Sequence, residues 1–210
     1  PCGTLFPYTT LFRSCEAVGG DVWTVRELVN KSPGRAMLTP GAGVGGHCIP
    51  KDPWLLSYRA HERDTPVRLI PAARAVNDGM PLHIVALLED ALQEIDVPLT
   101  DARVLVLGYA YLEDSDDTRN SPSEVLVKAL AARGAAVVVH DPYVQGYQGE
   151  VTAMAEGADA VVINNPYLTT AAAFCLSLVG MGVILIITRL RSASPETMVR
   201  LENRVATLRP

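Results

Sequence analysis

The sequence predicts an α/β protein in which an all-helical segment precedes a parallel, doubly wound sheet. Three observations carry this. Ile84, Leu88, Ala91 and Ile95 recur at three- and four-residue spacing, which places them on one helix face. Four apolar strand-like runs then alternate with helical patterns: ARVLVLGYAY (102–111), AAVVVHDPYV (135–144), AVVIN (160–164) and VILII (183–187). Between the two regimes VPLTD (97–101) reads as a linker.

The elements follow in order. Residues 1–14, PCGTLFPYTTLFRS, resemble translated sequencing-adapter read-through and are set apart from the fold as a non-native leader. CEAVGGDVWTVRELV (15–29) reads as a helix end, a Gly-Gly break and a short helix capped by Asp21. TPVRLIPAARAVNDGMPLHIVALLEDALQEI (65–95) is helical over most of its length, with Pro71 and Pro81 starting or kinking segments. SPSEVLVKALAARG (121–134) is a helix with Ser121 as N-cap, Pro122 in the first turn and Glu124 closing a capping box. VTAMAEGAD (151–159) is a short helix. AAAFCLSLVGMGVILII (171–187) is split by Gly180 and Gly182 into a buried helix and a core strand, which is preferred to a membrane span. The resulting division is 15–96 and 97–210.

A chain of 210 residues with net charge -5 and no basic block argues against nucleic acid as a partner. Cys2, Cys15, Cys48 and Cys175 show no C-x-x-C pairing, so neither a zinc site nor a disulfide framework is expected, which fits a reducing cytoplasm. No basic region followed by an apolar run marks a secretory signal.

The most informative stretch is TPGAGVGGHCIPKDPWLL (39–56). Gly41, Gly43 and Gly46 spell Gly-x-Gly-x-x-Gly, a fingerprint that has meaning only between a strand and a helix. The preceding NKSPGRAMLTP is no buried strand, and Pro50 and Pro53 bias the residues before them away from helical angles. No helix is therefore expected to start at Gly46 and run on through Cys48. The loop instead crowds a thiol, an imidazole and a Lys-Asp pair into six residues. A second cluster lies in GYAYLEDSDDTRNSP (108–122) and HDPYV (140–144), at the carboxyl ends of predicted strands, where ligands of such sheets sit. Arg119 stands just before a helix N-terminus, so the spacing leaves two readings open: a phosphate contact, or a solvated turn of Asp116, Asp117 and Arg119.

PGAGVGGHCIPKDP, GYAYLEDSDDTRNSPS and VVVHDPYV, in that order and spacing, resemble the NAD-dependent nucleotide-sugar 6-dehydrogenases that act on UDP-glucose, UDP-N-acetylglucosamine or UDP-N-acetylmannosamine. The resemblance spans Cys15 to about Asn164 and loosens beyond. It implies a central helical dimerisation domain (15–96) and a C-terminal Rossmann-like domain for UDP (97–210), with the main NAD-binding domain absent from this chain. The implied reaction oxidises a primary alcohol to a carboxylate by two hydride transfers, with a thiolate trapping the intermediate aldehyde.

By that resemblance Cys48 is the nucleophile and Asp52 positions or activates the hydrolytic water. Gly43, Gly45 and Gly46 let the backbone approach the sugar without a Cβ clash, and the loop N–H groups favour the thiolate. His47 shapes the sugar pocket, in preference to an acid–base role, and resembles the N-acetylhexosamine branch. Lys51 reads equally as a ligand contact or a surface ion pair. Arg119 belongs to the nucleotide-side cleft, contacting substrate and cofactor, and Arg189 matches the last family motif loosely. Asp141 reads as a capping or turn residue.

Three departures stand out. Leu112 replaces a lysine usual in relatives, Ile187 replaces an aspartate, and the catalytic Lys and Asn of the preceding helix are missing. The chain alone is therefore expected to be inactive. Rival readings are a non-catalytic UDP-sugar-binding or dimerisation module, and an oxidoreductase of the 6-phosphogluconate or hydroxyacid type, which lacks a Gly-Gly-His-Cys thiol. A wide apolar stripe on the long helix suggests a homodimer.

Overall fold

The computed structural model describes residues 10–34, 37, 41–65 and 67–164, with the backbone alone at 8–9 and 184–187. Two short helices come first, α1 (Tyr8–Ala17) and α2 (Val22–Asn30). Asp21 caps α2 as its sequence predicts, its carboxylate accepting from the backbone N–H groups of Trp23 and Thr24 at 3.0 Å each. α1 begins inside the stretch that sequence sets apart as a leader. Its Leu11 and Phe12 pack against buried Cys15, Val22 and Met37.

The prolines of the glycine loop do not prevent a helix. α3 runs Cys48–His61, so no helix starts at Gly46, but one opens directly at the thiol with His47 in the N-cap position. Pro50 falls in the first turn, where backbone N–H groups have no intrahelical acceptor, so its missing donor costs nothing. Pro53 forfeits only the bond to the residue four earlier, on a helix with no buried residue, where water can solvate the freed carbonyl.

α4 (Leu69–Gln93) is the long helix the periodicity predicts. Pro71 starts it, and Pro81 lies inside without ending it. Ile84 and Leu88 face the core as expected, joined by Met80, Val85 and Leu92. Ile95 does not join them. The helix stops at Gln93 and Asp96 takes φ 58°, which turns the chain and leaves Ile95 exposed.

The second half alternates strand and helix: β1 (Arg103–Leu107), α5 (Pro122–Ala132), β2 (Ala136–His140), α6 (Val151–Ala155), β3 (Ala160–Ile163) and β4 (Ile184–Ile187). All pairings are parallel, in the order β2-β1-β3-β4, with Leu107 aligned to His140 on one side and Ile163 on the other. The strands are shorter than their apolar runs. β1 ends at Leu107 because Gly108 takes φ 95° and the chain leaves the sheet. β2 ends at His140, where the Asp141 N–H bonds back to the Tyr147 carbonyl. The predicted apolar helix over 171–182 lies outside the described residues.

One apolar core crosses the expected boundary at residue 96. Ile84, Val85, Leu88 and Leu92 of α4 lie with Val104 and Val106 of β1, Leu126 and Leu130 of α5 and Val162 of β3 in one cluster. At about 1.5–3 kcal/mol per fully buried aliphatic side chain, these contacts hold the helical half onto the sheet. Among the described residues no helix is long and apolar enough to cross a membrane.

Candidate active site

Strand β1 delivers the first element of the site. Its carboxyl end is tied down by two serines of α5: Ser123 donates to the Gly108 carbonyl and Ser121 to the Tyr109 carbonyl, each at 2.6 Å. Ser121 is the predicted N-cap, accepting from Ser123 N–H. The capping box does not close. The Glu124 carboxylate pairs with Lys128 one turn on, and Ser121 N–H bonds the Thr118 carbonyl instead.

Asp141, at the end of β2, fixes the same segment from the other side. It is 1 % exposed. One carboxylate oxygen accepts from Tyr109 and Ala110 N–H at 2.8 and 2.9 Å, the other from Tyr143 and Val144 N–H at 3.0 and 3.3 Å. A carboxylate holding backbone donors of two loops is the turn-forming role its sequence suggests. Tyr109 also packs on the Tyr147 ring, and burial together with Tyr147 pushes its phenol up to about 12.

Tyr111, one residue past this anchor, lies against the glycine loop. A Cβ on Gly45 would stand 2.6 Å from the Asn120 carbonyl oxygen and 2.7 Å from Tyr111 Cβ. One on Gly46, which has φ 89°, would stand 2.7 Å from the Tyr111 ring. The missing Cβ atoms at Gly45 and Gly46 let the loop pack against the protein's own second half. At the Gly-x-Gly-x-x-Gly match no helix opens from Gly46, and Tyr111 and Asn120 pack against the turn.

Hydrogen bonds lock the loop on both flanks. The Gly46 N–H donates to the Arg119 carbonyl at 2.9 Å, and Asn120 Nδ2 donates to the Gly46 carbonyl at 3.0 Å. From α4, Asn77 Oδ1 accepts from Val44 N–H at 2.8 Å while its Nδ2 donates to the Val44 carbonyl at 3.4 Å. Gly43 lies against the Asn77 backbone, where a Cβ would be 3.2 Å from the carbonyl oxygen.

Cys48 emerges from this lock as the first residue of α3 and is exposed, whereas Cys15 is buried. Asp52 is four residues on, one helical turn, and is exposed; Lys51 pairs with it at 3.5 Å on the surface. His47 occupies the N-cap position without a capping bond.

Arg119 and Asp117 complete the cluster. Arg119 Nε contacts both Asp117 carboxylate oxygens, at 2.9 and 3.1 Å, and its Nη2 adds a third contact at 2.5 Å. The Arg119 guanidinium and N–H hold the Asp117 carboxyl at about 2, with His47 adding in the same direction. Asp117 in turn raises the Arg119 pKa, with smaller effects from Tyr111 and Cys48. These couplings put the two motifs, Gly46–Cys48 and Asp117–Arg119, 71 positions apart in sequence, in one electrostatic neighbourhood.

Cys48, Asp52, His47, Lys51, the glycines and Arg119 are thus gathered around one loop, and Arg189 lies outside the described residues. Leu112, in the expected lysine position, is exposed. Among the described residues no group of three or more His, Cys, Asp and Glu side chains is placed to hold a metal. Sequence reasoning missed Asn77, Asn120 and Tyr111. Asn77 was detectable as a polar residue on the apolar stripe between Ile70 and Ile84.

Residues 9–79 match the central domain of the UDP-glucose/GDP-mannose dehydrogenase family, and residues 105–176 match its UDP binding domain. The chain is 42 % identical to a UDP-N-acetyl-D-mannosamine dehydrogenase of Pyrococcus horikoshii over 145 residues, 69 % of this chain and 34 % of that protein. With a namesake from Methanocaldococcus jannaschii the identity is 37 % over 70 % of this chain and 33 % of that protein. The chain therefore spans about a third of the length of these curated relatives. The solved UDP-D-ManNAc dehydrogenase of P. horikoshii superposes with a TM-score of 0.79 at 34 % identity, covering 90 % of this chain and 45 % of that one. An NDP-N-acetyl-D-galactosaminuronic acid dehydrogenase from Methanosarcina mazei gives 0.81 at 31 % identity, covering 94 % and 46 %. With both matched domains in their order, and the thiol loop packed between them, this chain belongs to the UDP-glucose/GDP-mannose (nucleotide-sugar) dehydrogenase family.

Proposed function

We propose that this chain supplies the thiol and nucleotide-side parts of an enzyme oxidising C6 of a UDP-N-acetylhexosamine from alcohol to carboxylate. The observation that carries the reading is the exposed Cys48 at the start of α3, beside Arg119, in a protein whose other described cysteine is buried. A sulfur sealed in apolar packing would have ruled it out.

NAD supplies the hydride acceptor in such a reaction. Its dinucleotide is not assigned to the glycine loop, where Tyr111 packs against Gly45 and Gly46. The work of this chain's own residues concerns the sugar carbon. Cys48 Sγ adds to the C6 aldehyde left by the first oxidation, forming a C–S bond while the oxygen takes up a proton. Loss of the C6 hydride to the hydride acceptor, and of the hydroxyl proton to solvent, converts that thiohemiacetal to a thioester. Water adds to its carbonyl, the C–S bond breaks, and the carboxylate departs as the sulfur is regenerated. Asp52, one turn along α3, orients or deprotonates that water. Arg119 serves the nucleotide and cofactor side of the cleft; it is exposed and can exchange its Asp117 contact for a phosphate. The acetamido sugar is supported by His47 in the thiol loop and by the names of the relatives, which are UDP-N-acetyl-D-mannosamine dehydrogenases.

A homodimer through the helical half belongs to the same proposal, supported by the exposed apolar face of α3. The α4 stripe is occupied by β1 and α5. α3 has no buried residue and exposes Ile49, Trp54, Leu55, Leu56 and Tyr58 beside a groove of about 590 Å³.

By itself this chain is proposed to reduce no NAD; turnover of a UDP-sugar by the purified 210-residue protein would refute that. The catalytic reading is tested in a protein that carries this sequence together with a dinucleotide-binding domain. Cys48→Ser there should abolish acid formation from the UDP-sugar, and unchanged turnover would return Cys48 to a structural role.

A further inference from the structure

We propose that Asn77 is a positioning residue for Cys48, acting through the backbone of the glycine loop. The inference rests on the reading of Cys48 as the reacting thiol. Between Gly43 and His47 the chain has no helix or strand to hold it. The backbone N–H and carbonyl of Val44 and of Gly46 are taken by partners outside the loop. Asn77 bonds both the N–H and the carbonyl of Val44, imitating a neighbouring strand, while Asn120 and the Arg119 carbonyl do the same for Gly46. The thiol follows only two residues later, so its place at the head of α3 is set by these two clamps.

Asn77 also stands where a plain packing residue would be expected. It is 8 % exposed, on the α4 face that carries Ile70, Met80 and Ile84 together with buried Arg74. A buried amide costs free energy unless its donors and acceptor are used, and here they are used on the loop and on Asp78. Pro81 sharpens the arrangement. Having no N–H, it cannot take up the Asn77 carbonyl as a helical residue would, and Gly43 packs against that same oxygen. One residue thus seats Gly43 through its backbone and Val44 through its side chain.

The two clamps come from different parts of the fold, α4 and the segment before α5. Releasing the α4 clamp should shift the sulfur relative to Arg119 without dismantling either half. The experiment is alkylation of the 210-residue chain by iodoacetamide, with peptide mapping to separate Cys48 from Cys15, which is buried and reports loosening of the fold.

Asn77→Ala should slow Cys48 alkylation by about fivefold, the worth of one hydrogen bond, while Cys15 stays protected. Asn77→Asp keeps an acceptor for Val44 N–H but loses the donor to its carbonyl, and should restore part of the rate. Equal Cys48 rates in all three proteins, within twofold, would overturn the proposal. If Asn77→Ala exposes Cys15 as well, Asn77→Asp decides: a change confined to Cys48 supports positioning, and no such change overturns it. The two failures separate. A Cys48 inert in the unchanged chain defeats the nucleophile reading and positioning with it, whereas a reactive Cys48 indifferent to Asn77 defeats positioning alone.

Discussion

The backbone N–H of Gly46 donates to the carbonyl of Arg119 at 2.9 Å, joining the thiol loop to the motif that opens α5. Through this bond and the Asn120 amide the catalytic candidate is held between two halves of the fold, and several consequences can be measured.

The glycines of the loop should differ sharply from a glycine in open space. Gly45→Ala forces a Cβ against the Asn120 carbonyl and Tyr111, and should cost about 1–3 kcal/mol by overpacking. Gly79, inside α4 with nothing within 4 Å of a built Cβ, should instead gain about 0.5–1 kcal/mol on replacement by Ala. Urea unfolding of the two variants checks both signs.

Asp141 should be among the costliest single residues to remove. Asp141→Ala removes the acceptor of four backbone N–H groups, two of them buried and two part-buried, and should lose about 3 kcal/mol. Because Tyr109 and Ala110 lead to Tyr111, the same change should also loosen the thiol loop, seen as faster proteolysis near Gly45.

The Asp117–Arg119 pair gives stability a defined acid limb. Asp117 is held at about 2, below its ordinary 3.8, so its contribution is complete above the unfolded value and fades as pH falls from about 4 through 2. Thermal unfolding of the wild type and Asp117→Asn should differ at pH 6, with the gap shrinking as pH falls from about 4 through 2. A gap at pH 2 as large as at pH 6 would contradict the pairing.

The bare apolar face of α3 should report association. The 210-residue chain is expected to sediment as a dimer, and Leu55→Glu to shift it toward monomer without loss of helical circular dichroism. A wild type that is monomeric at micromolar concentration would count against an interface on α3.

Much of this protein is written locally. The Asp21 cap, the 3.6-residue stripe of α4, the apolar runs of β1 to β3 and the Ser121-Pro122 helix start all follow from neighbouring residues, because propensity, periodicity and capping act over a few positions. The thiol loop, too, is marked by its own composition. Other features were decided by tertiary contact. The sequence could not show that α3 would open at Cys48 despite Pro50 and Pro53, since that depends on which turn each proline occupies and on solvent access to the freed carbonyl. Nor could it show that α4 shares its core with the sheet, that Gly45 and Gly46 pack against Tyr111, or that Asn77 and Asn120 grip one loop. Each of these joins residues tens of positions apart, and steric fit and hydrogen bonding between distant segments exist only once the chain has brought them together.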